Sequence, residues 1–458
     1  MNLSSGLLYY GFLASILSIL VVQPNAYAEL AESQNDSSVI GRDSQQAQVS
    51  EPEEEDEEGD EEEDDDDDES EEEEDTLRIV VTATRTEESV LDVPRSVTVI
   101  DREQIQQQRQ LTNNLPDILG QLVPGLGPPT LQNSTRNLSL RGRSALILID
   151  GVPQNPNSGF NTELNTIDPD VIERIEIVRG PSAIYGDGAT GGIINIITRA
   201  GGDGPVVYDL GVSTSVGLTS IENDSFGYGV RIGGGGSDER TSVRATLSYD
   251  VTNAQFDADG DRIPPNRVAD ADRLGLFTKL GHELTDQQQL GLTYSFYREN
   301  LDNTTFFSDP SILLIPGLQT ARAIDIGEID YEEDPEQTNH VINLTYRHEE
   351  LLNSQFDAQF YYRDTALVQR FQDIRGRGRP DFQPQLFQTA LDSLEWGGRA
   401  QFDTEFSDSF SLLWGADYGQ EENERLVFDL DGAIFDETGS LVIADELGQT
   451  PKYDLETL

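Results

Sequence analysis

From Val206 to Tyr418 apolar and polar residues alternate with a period of two, and that pattern leaves the chain few folds to adopt. Val206, Tyr208, Leu210, Val212 and Val216 fall on one face, as do Phe226, Tyr228, Val230 and Ile232, and then Val243, Ala245, Leu247 and Tyr249. The series continues through Leu274–Leu280, Leu290–Phe296, Ile342–Tyr346, Phe356–Tyr362, Leu394–Phe402 and Phe410–Tyr418. About nine strands result, and their opposite faces carry Ser, Thr, Asn, Gln, Asp and Arg, the lipid-out and water-in alternation of a transmembrane β-barrel. A soluble sandwich is disfavoured by the connections. Gly235–Asp238, Thr285–Asp286, Glu350–Asn353 and Ser407–Asp408 are tight, whereas Thr252–Ala271, Glu299–Thr338 and Thr365–Leu391 are long. Short turns on one side and long loops on the other belong to barrels of the outer membrane.

The rest of the composition narrows the field by exclusion. A formal charge of −56 rules against nucleic acid, whose phosphates must be met by Lys and Arg. There is no cysteine, so disulfides and thiolate metal sites are excluded. The 3 histidines, His282, His340 and His348, lack ligand spacing, and no cofactor is expected. Glu51–Asp75 holds 22 acidic residues and no basic one; without them 64 of the 86 acids remain against 30 Lys and Arg. Repulsion and the lack of apolar side chains make residues 29–75 an extended, disordered linker. A calcium-buffering tail or a handle for a basic partner is the alternative.

Residues 1–28 read as an export signal: an apolar run from Leu7 to Val22, too short for a confident span, then Pro24 and the Ala26-Tyr27-Ala28 cleavage pattern. No Lys or Arg precedes the run, which departs from the usual signal, and an uncleaved anchor is the other reading. Beyond the linker, Leu77-Arg78-Ile79-Val80-Val81-Thr82-Ala83 is a β-prone string without a neighbouring hairpin signal. Such a lone strand needs a partner edge, which β-augmentation by another protein's sheet would supply.

Residues 86–205 read as an α+β module with Gly-rich turns. A strand over Ser96–Asp101 ends in a helix cap, Leu115–Leu122 is a short amphipathic helix stopped by Pro124 and Gly125, and Leu138–Arg141 and Ala145–Asp150 are strands. Asp170–Arg179 reads as helix into strand and Gly191–Arg199 as a strand. The strings Leu115–Leu119, Leu140-Arg141-Gly142, Ile147–Pro153, Ile172–Pro181 and Tyr185–Thr198 resemble, in order, the plug domain of TonB-dependent outer-membrane receptors. The fold expected is an α+β plug domain followed by the N-terminal part of an antiparallel transmembrane β-barrel, residues 206–458.

This resemblance implies a transporter and not an enzyme. By this resemblance it is expected to take a ferric siderophore across the outer membrane, in contact with outer-membrane lipid, with plug and linker facing the periplasm. Residues 76–85 become the TonB box, whose Leu77–Ala83 bind the energy-transducing protein TonB. Arg141 and Arg179 are implied to lock the plug to barrel-wall carboxylates, with internal plug packing as the alternative. Ligand is expected at the apical loops, on Gln132, Asn133, Arg136, Gln154, Asn155, Asn157 and Phe160. Cobalamin, nickel chelates and haem are the runner-up ligands, and a non-transporting remnant the runner-up function.

Three further features carry expectations. At about 24 residues per strand, a plugged barrel of 22 strands takes roughly 520 residues, against the 253 from 206 to 458. A fragment, truncated product or half of a split protein is expected, which alone would leave unpaired edges in hydrocarbon and neither insert stably nor transport. Asp257–Asp261 resembles the start of a calcium loop but lacks its Gly and Glu positions. Arg370, Arg375, Arg377 and Arg379 could meet an anion, though plain solvation is the simpler reading.

Overall fold

The computed structural model describes residues 80–81, 88–89 and most of 95–457, leaving aside 128–138, 155–162, 183–184, 186–187, 218–220, 222–224, 265–268, 302–305, 309–322, 328, 376–384 and 408–409. The signal and linker readings, residues 1–75, therefore lie outside the described residues. All that follows belongs to one compact unit, Glu74–Leu458.

Val80–Val81 (β1) pairs antiparallel with Glu88–Ser89 (β2). The expected lone strand is thus corrected: the chain itself supplies a partner edge. Leu77, Arg78, Ile79, Thr82 and Ala83 lie outside the described residues.

Val97–Asp101 (β3) runs into helix Arg102–Arg109 (α1) through a capping box. The Asp101 carboxylate accepts from Gln104 N at 2.8 Å, and the Gln104 side chain accepts from Asp101 N at 3.1 Å, satisfying two donors that the first turn leaves free. Helix Leu115–Leu122 (α2) has Pro116 in its first turn and buries Leu115, Ile118 and Leu119, one helical face at three- and four-residue spacing. Ser139–Leu140 (β4), Arg143–Ile149 (β5), Val152–Pro153 (β6), Ile172–Arg179 (β7) and Gly192–Thr198 (β8) complete a 6-stranded sheet of order β3-β7-β8-β5-β4, with β6 on β5. A single 3-10 turn, Pro169–Val171, stands where helix was expected before β7.

Strand β8 lies antiparallel to β7 and parallel to β5, covered on both sides. That explains its Ile-rich run, interrupted only by Asn195, since Ile193, Ile194 and Ile196 are all buried. Gly192 opens it at φ 141°, and a Cβ there would stand 2.3 Å from the Val178 carbonyl oxygen. Gly192→Ala should therefore destabilise the plug by roughly 1–3 kcal/mol, read as a lowered midpoint in urea; an unchanged midpoint would contradict this packing.

The second sheet has 11 strands. It contains Val207–Val216 (β9), Phe226–Ser237 (β10), Thr241–Thr252 (β11), Ala271–Thr285 (β12) and Gln288–Leu301 (β13). Three short strands follow, Phe306–Ser308 (β14), Ala323–Asp325 (β15) and Asp330–Tyr331 (β16), which belong to the loops. The sheet resumes with Glu336–His348 (β17), Gln355–Val368 (β18), Gln372–Asp373 (β19), Leu386–Ser407 (β20) and Phe410–Leu430 (β21). Helix Gly432–Thr438 (α3) and Ser440–Leu441 (β22) precede a last strand, Ile443–Thr457 (β23), which pairs with β21. The alternation pattern does not reach β23.

The faces follow the period-two reading. Along β10, Phe226, Tyr228, Val230 and Ile232 are exposed at 46, 43, 39 and 55%, while Arg231 between them is 7% exposed. Apolar side chains therefore point away from the plug and polar ones toward it, as a lipid-facing wall requires. Near the short turns Phe402 stacks on Trp414 with centroids 4.5 Å apart and meets Phe356 at a tilt with centroids 4.7 Å apart, linking three strands. Among the described residues no helix is long and apolar enough to cross a membrane.

At the opposite end the long connections pack on one another. Ile329, Phe371, Leu386, Phe428, Leu430 and Leu441 form a buried apolar cluster, and β16 pairs in parallel with β22. Arg375 clamps it, reaching Asp373 at 2.8 Å and Asp436 at 3.0 Å with its guanidinium 5.7 Å from the Phe435 ring centroid. Plain solvation is thus corrected for Arg375. Arg370 donates to the Asp270 carbonyl at 2.8 Å, and Arg377 and Arg379 lie outside the described residues. In the acidic loop the Asp257 carboxylate accepts from Asp259 N and Asp261 N at 3.0 and 2.9 Å, closing a tight turn.

Candidate functional site

The seam between plug and barrel wall is where the two kinds of structure meet, and its chemistry starts from inward positions of the strands. A residue facing the lumen alternates with one facing lipid, so a charged side chain flanked by apolar neighbours points at the plug. Arg231 on β10 is such a residue, and Lys279 on β12 and Arg363 on β18 likewise reach the plug.

Asp150 follows β5 at φ +47°, a conformation uncommon for a residue with a side chain, and Gly151 comes next at φ +77°. The turn aims the Asp150 carboxylate at Lys279, whose Nζ lies 3.0 Å away and also donates to the Thr198 carbonyl and hydroxyl at 3.1 and 2.9 Å. Gln359 of β18 donates to the Asp150 carbonyl at 3.0 Å. Two residues from Lys279, Phe277 leaves the wall and joins the buried core of the plug with Ile105, Ile118 and Leu164. Higher up, Asn339 of β17 donates to the Thr166 hydroxyl at 3.1 Å.

A denser cluster lies beside the 3-10 turn. Asp168 caps that turn and, with Asp170, faces Arg231: Nε stands 2.9 Å from Asp168 and Nη1 2.6 Å from Asp170. Arg109 of α1 reaches Asp170 at 2.6 Å. Burial, then the neighbouring Asp170 charge, pushes the Asp168 carboxyl up to about 7.

The residues singled out from sequence separate in space. Arg179 is buried and donates to the Thr98 hydroxyl at 2.7 Å, the Ser96 hydroxyl at 3.4 Å and the Pro124 carbonyl at 3.3 Å, all within the plug. Its pKa is lowered by burial first and by the charge of Arg141 second. Arg141 is exposed at φ +54°. Among the described residues neither meets a barrel carboxylate. The acid and base that join plug to wall are the other way round, with Asp150, Asp168 and Asp170 on the plug and Lys279 and Arg231 on the barrel. Gln154, expected at an apical loop, is 1% exposed and accepts from Arg363 at 3.4 Å, so it is a seam residue and is corrected as a ligand contact. Gln132, Asn133, Arg136, Asn155, Asn157 and Phe160 lie outside the described residues. The signal that could have found the seam was the single charge on an otherwise apolar strand at Arg231 of β10.

Residues 89–193 match the TonB-dependent Receptor Plug Domain family. The chain is 26% identical over 391 residues to the ferric aerobactin receptor of Klebsiella pneumoniae, covering 83% of this chain and 52% of that protein. It is 27% identical over 398 residues to the rhizobactin receptor of Rhizobium meliloti (strain 1021), again 83% and 52%. Its fold is similar to that of the siderophore receptor PirA from Acinetobacter baumannii, with TM-score 0.50, 21% identity, and 72% of this chain and 48% of that chain covered. Residues 89–193 thus carry a TonB-dependent receptor plug domain, followed by an antiparallel sheet whose fold is similar to that of such receptors. The chain spans about half the length of the curated relatives it matches.

Proposed function

We propose that this chain serves energy-coupled uptake of a ferric siderophore across the outer membrane. The observation that carries the reading is its likeness, over 83% of its length, to a ferric aerobactin receptor and a rhizobactin receptor. The polar plug–wall seam supports it physically, because its hydrogen bonds and ion pairs can be exchanged for bonds to water when the plug moves, whereas buried apolar contacts have no such replacement.

In this reading the long-loop end faces outward and the short turns and plug termini face the periplasm. Ligand enters from the long-loop end and meets the plug loops 128–138 and 155–162, on Gln132, Asn133, Arg136, Asn155, Asn157 and Phe160. Leu77–Ala83 then pair with TonB as an added strand, and force on that segment draws the plug from the wall. The chain binds, holds and releases; it makes and breaks no covalent bond. A panel of radiolabelled iron chelates, offered on ice to cells displaying the protein, tests the ligand class. Saturable binding of a ferric siderophore, uncompeted by cobalamin or haem, is expected; saturable haem or cobalamin binding without it would overturn the reading.

A further inference from the structure

We propose that residues 199–206, which link the plug to the barrel, form a strap that the wall keeps seated while the rest of the plug moves. The strap rests on the uptake reading only in that a plug must move; its packing is local. Gly235 shares the plug-facing side of β10 with Arg231, and the linker crosses the wall there, backbone against backbone. Gly201 lies over the rung that pairs Gly236 of β10 with Val243 of β11. A Cβ on Gly201 would stand 2.5 Å from the Gly236 carbonyl oxygen and 2.7 Å from Val243 N, and one on Gly235 would stand 2.9 Å from the Gly201 carbonyl oxygen. Both sides of the contact therefore need glycine, which alone lets two backbones approach so closely. Three residues further on, linker and wall exchange hydrogen bonds. Ser237 N donates to the Gly204 carbonyl at 2.7 Å, and Gly204 N donates to the Ser237 hydroxyl at 3.2 Å. Just ahead of the linker, Lys279 of β12 donates to the Thr198 carbonyl at 3.1 Å. Three neighbouring strands of the wall thus fasten one short stretch of chain.

The other polar contacts of the seam differ in kind. Arg231, Lys279, Asn339 and Gln359 hold the plug by the ends of side chains, which can turn to other rotamers one at a time. At Gly201 and Gly235 no side chain can swing aside, and lifting the linker breaks the paired backbone groups of Gly204 and Ser237 together. Chain order adds to this. The linker is the last segment before β9, so force applied at Leu77–Ala83 passes through the plug first and reaches the wall through the strap. Motion is then confined to the plug ahead of Thr198, with the linker as its fixed point.

Trypsin reads the strap at Arg199, a half-buried residue whose backbone N–H donates to the Val171 carbonyl at 2.8 Å, because cleavage there requires the linker to lift. The full-length receptor that contains this chain is digested in detergent micelles, and the new end at Ala200 is followed by mass spectrometry. Alanine suits a strand better than glycine. Gly235→Ala should nevertheless speed this cut at least about tenfold, the rise in open population that overpacking brings. Gly398→Ala, a wall glycine whose Cβ would meet nothing nearer than 3.5 Å, should leave the rate unchanged. Phe277→Ala, which loosens the plug, should speed cuts at Arg102 and Arg109 of α1 and spare Arg199. A native rate in Gly235→Ala overturns the strap. So does a Phe277→Ala protein cut at Arg199 as readily as at Arg109, since the linker would then merely follow the plug. If Gly235→Ala fails to close its barrel, judged by heat-modifiable migration, Gly201→Ala brings the same clash from the linker side, with its rate normalised to the same site in denaturant. The assay needs neither siderophore nor TonB, so failure of the uptake reading leaves its outcome unchanged.

Discussion

Uptake should be abolished, and ligand binding kept, when Val80 is replaced by Pro in a full-length receptor that contains this chain. Val80 and Val81 are β-branched residues in strand conformation, paired in register with Ser89 and Glu88. Proline removes the backbone N–H and its ring crowds the ladder, so the segment can no longer add as a regular strand to any sheet, its own or another protein's. Binding should survive, because none of the residues proposed to hold ligand belongs to this segment. Val80→Ile, which keeps both donor and strand preference, should transport at the native rate. The measurement is initial iron uptake against surface-bound ligand on the same cells. Native uptake in the Pro variant would remove this segment from coupling; loss of both binding and uptake would point to a plug that did not seat.

Phe277→Ala should loosen the plug from the wall by roughly 3–5 kcal/mol, the range for truncating a buried Phe. Phe277 is 5% exposed and is a wall residue that belongs to the plug's own core cluster. Truncation leaves a void between two rigid surfaces, a sheet and a helical face, which have little freedom to collapse into it. Thermal unfolding of the plug in vesicles reads the change, with Phe277→Leu expected to recover most of it. A midpoint within about 1 kcal/mol of native for the Ala variant would show that the wall does not support the core through this side chain.

How much of this was legible in the sequence depended on whether the cause was local. The lipid-facing sides of β10 and β11 were plain, because every second residue is apolar and nothing else explains that spacing. Asp101 announced its helix, since a cap is satisfied within four residues. Strand β8 was legible as an Ile-rich run between Gly and Arg. Strand β23 was not: Ile443–Thr457 is largely polar, and its register against β21 slips at Asn423, Arg425 and Asp429. The self-pairing of β1 and β2 involves two residues on each side, too few for any periodic signal. The seam was the least legible part. Asp168 meets Arg231 and Asp150 meets Lys279 across folded distance, and only the barrel's curvature brings them together. Arg141 and Arg179 drew attention by resemblance, yet Arg179 spends its donors on Ser96, Thr98 and Pro124 inside the plug.

Gln154 shows why an apical reading and a seam reading were hard to separate. It follows Pro153 in a polar, turn-rich stretch, which as sequence looks solvent-facing. In the fold its backbone N–H donates to the Ile147 carbonyl at 2.8 Å, which ties it back to β5 and buries it. One hydrogen bond thus sets where the plug surface ends.

Accumulation of iron from a ferric siderophore, followed in paired cells that contain or lack TonB and display the same amount of this protein, tests the central claim most directly. The account predicts surface binding in both and accumulation only where TonB is present. Equal accumulation in the two would contradict it, because a plug held by Arg231 and Lys279 would then be yielding without the pull on which the proposed function depends.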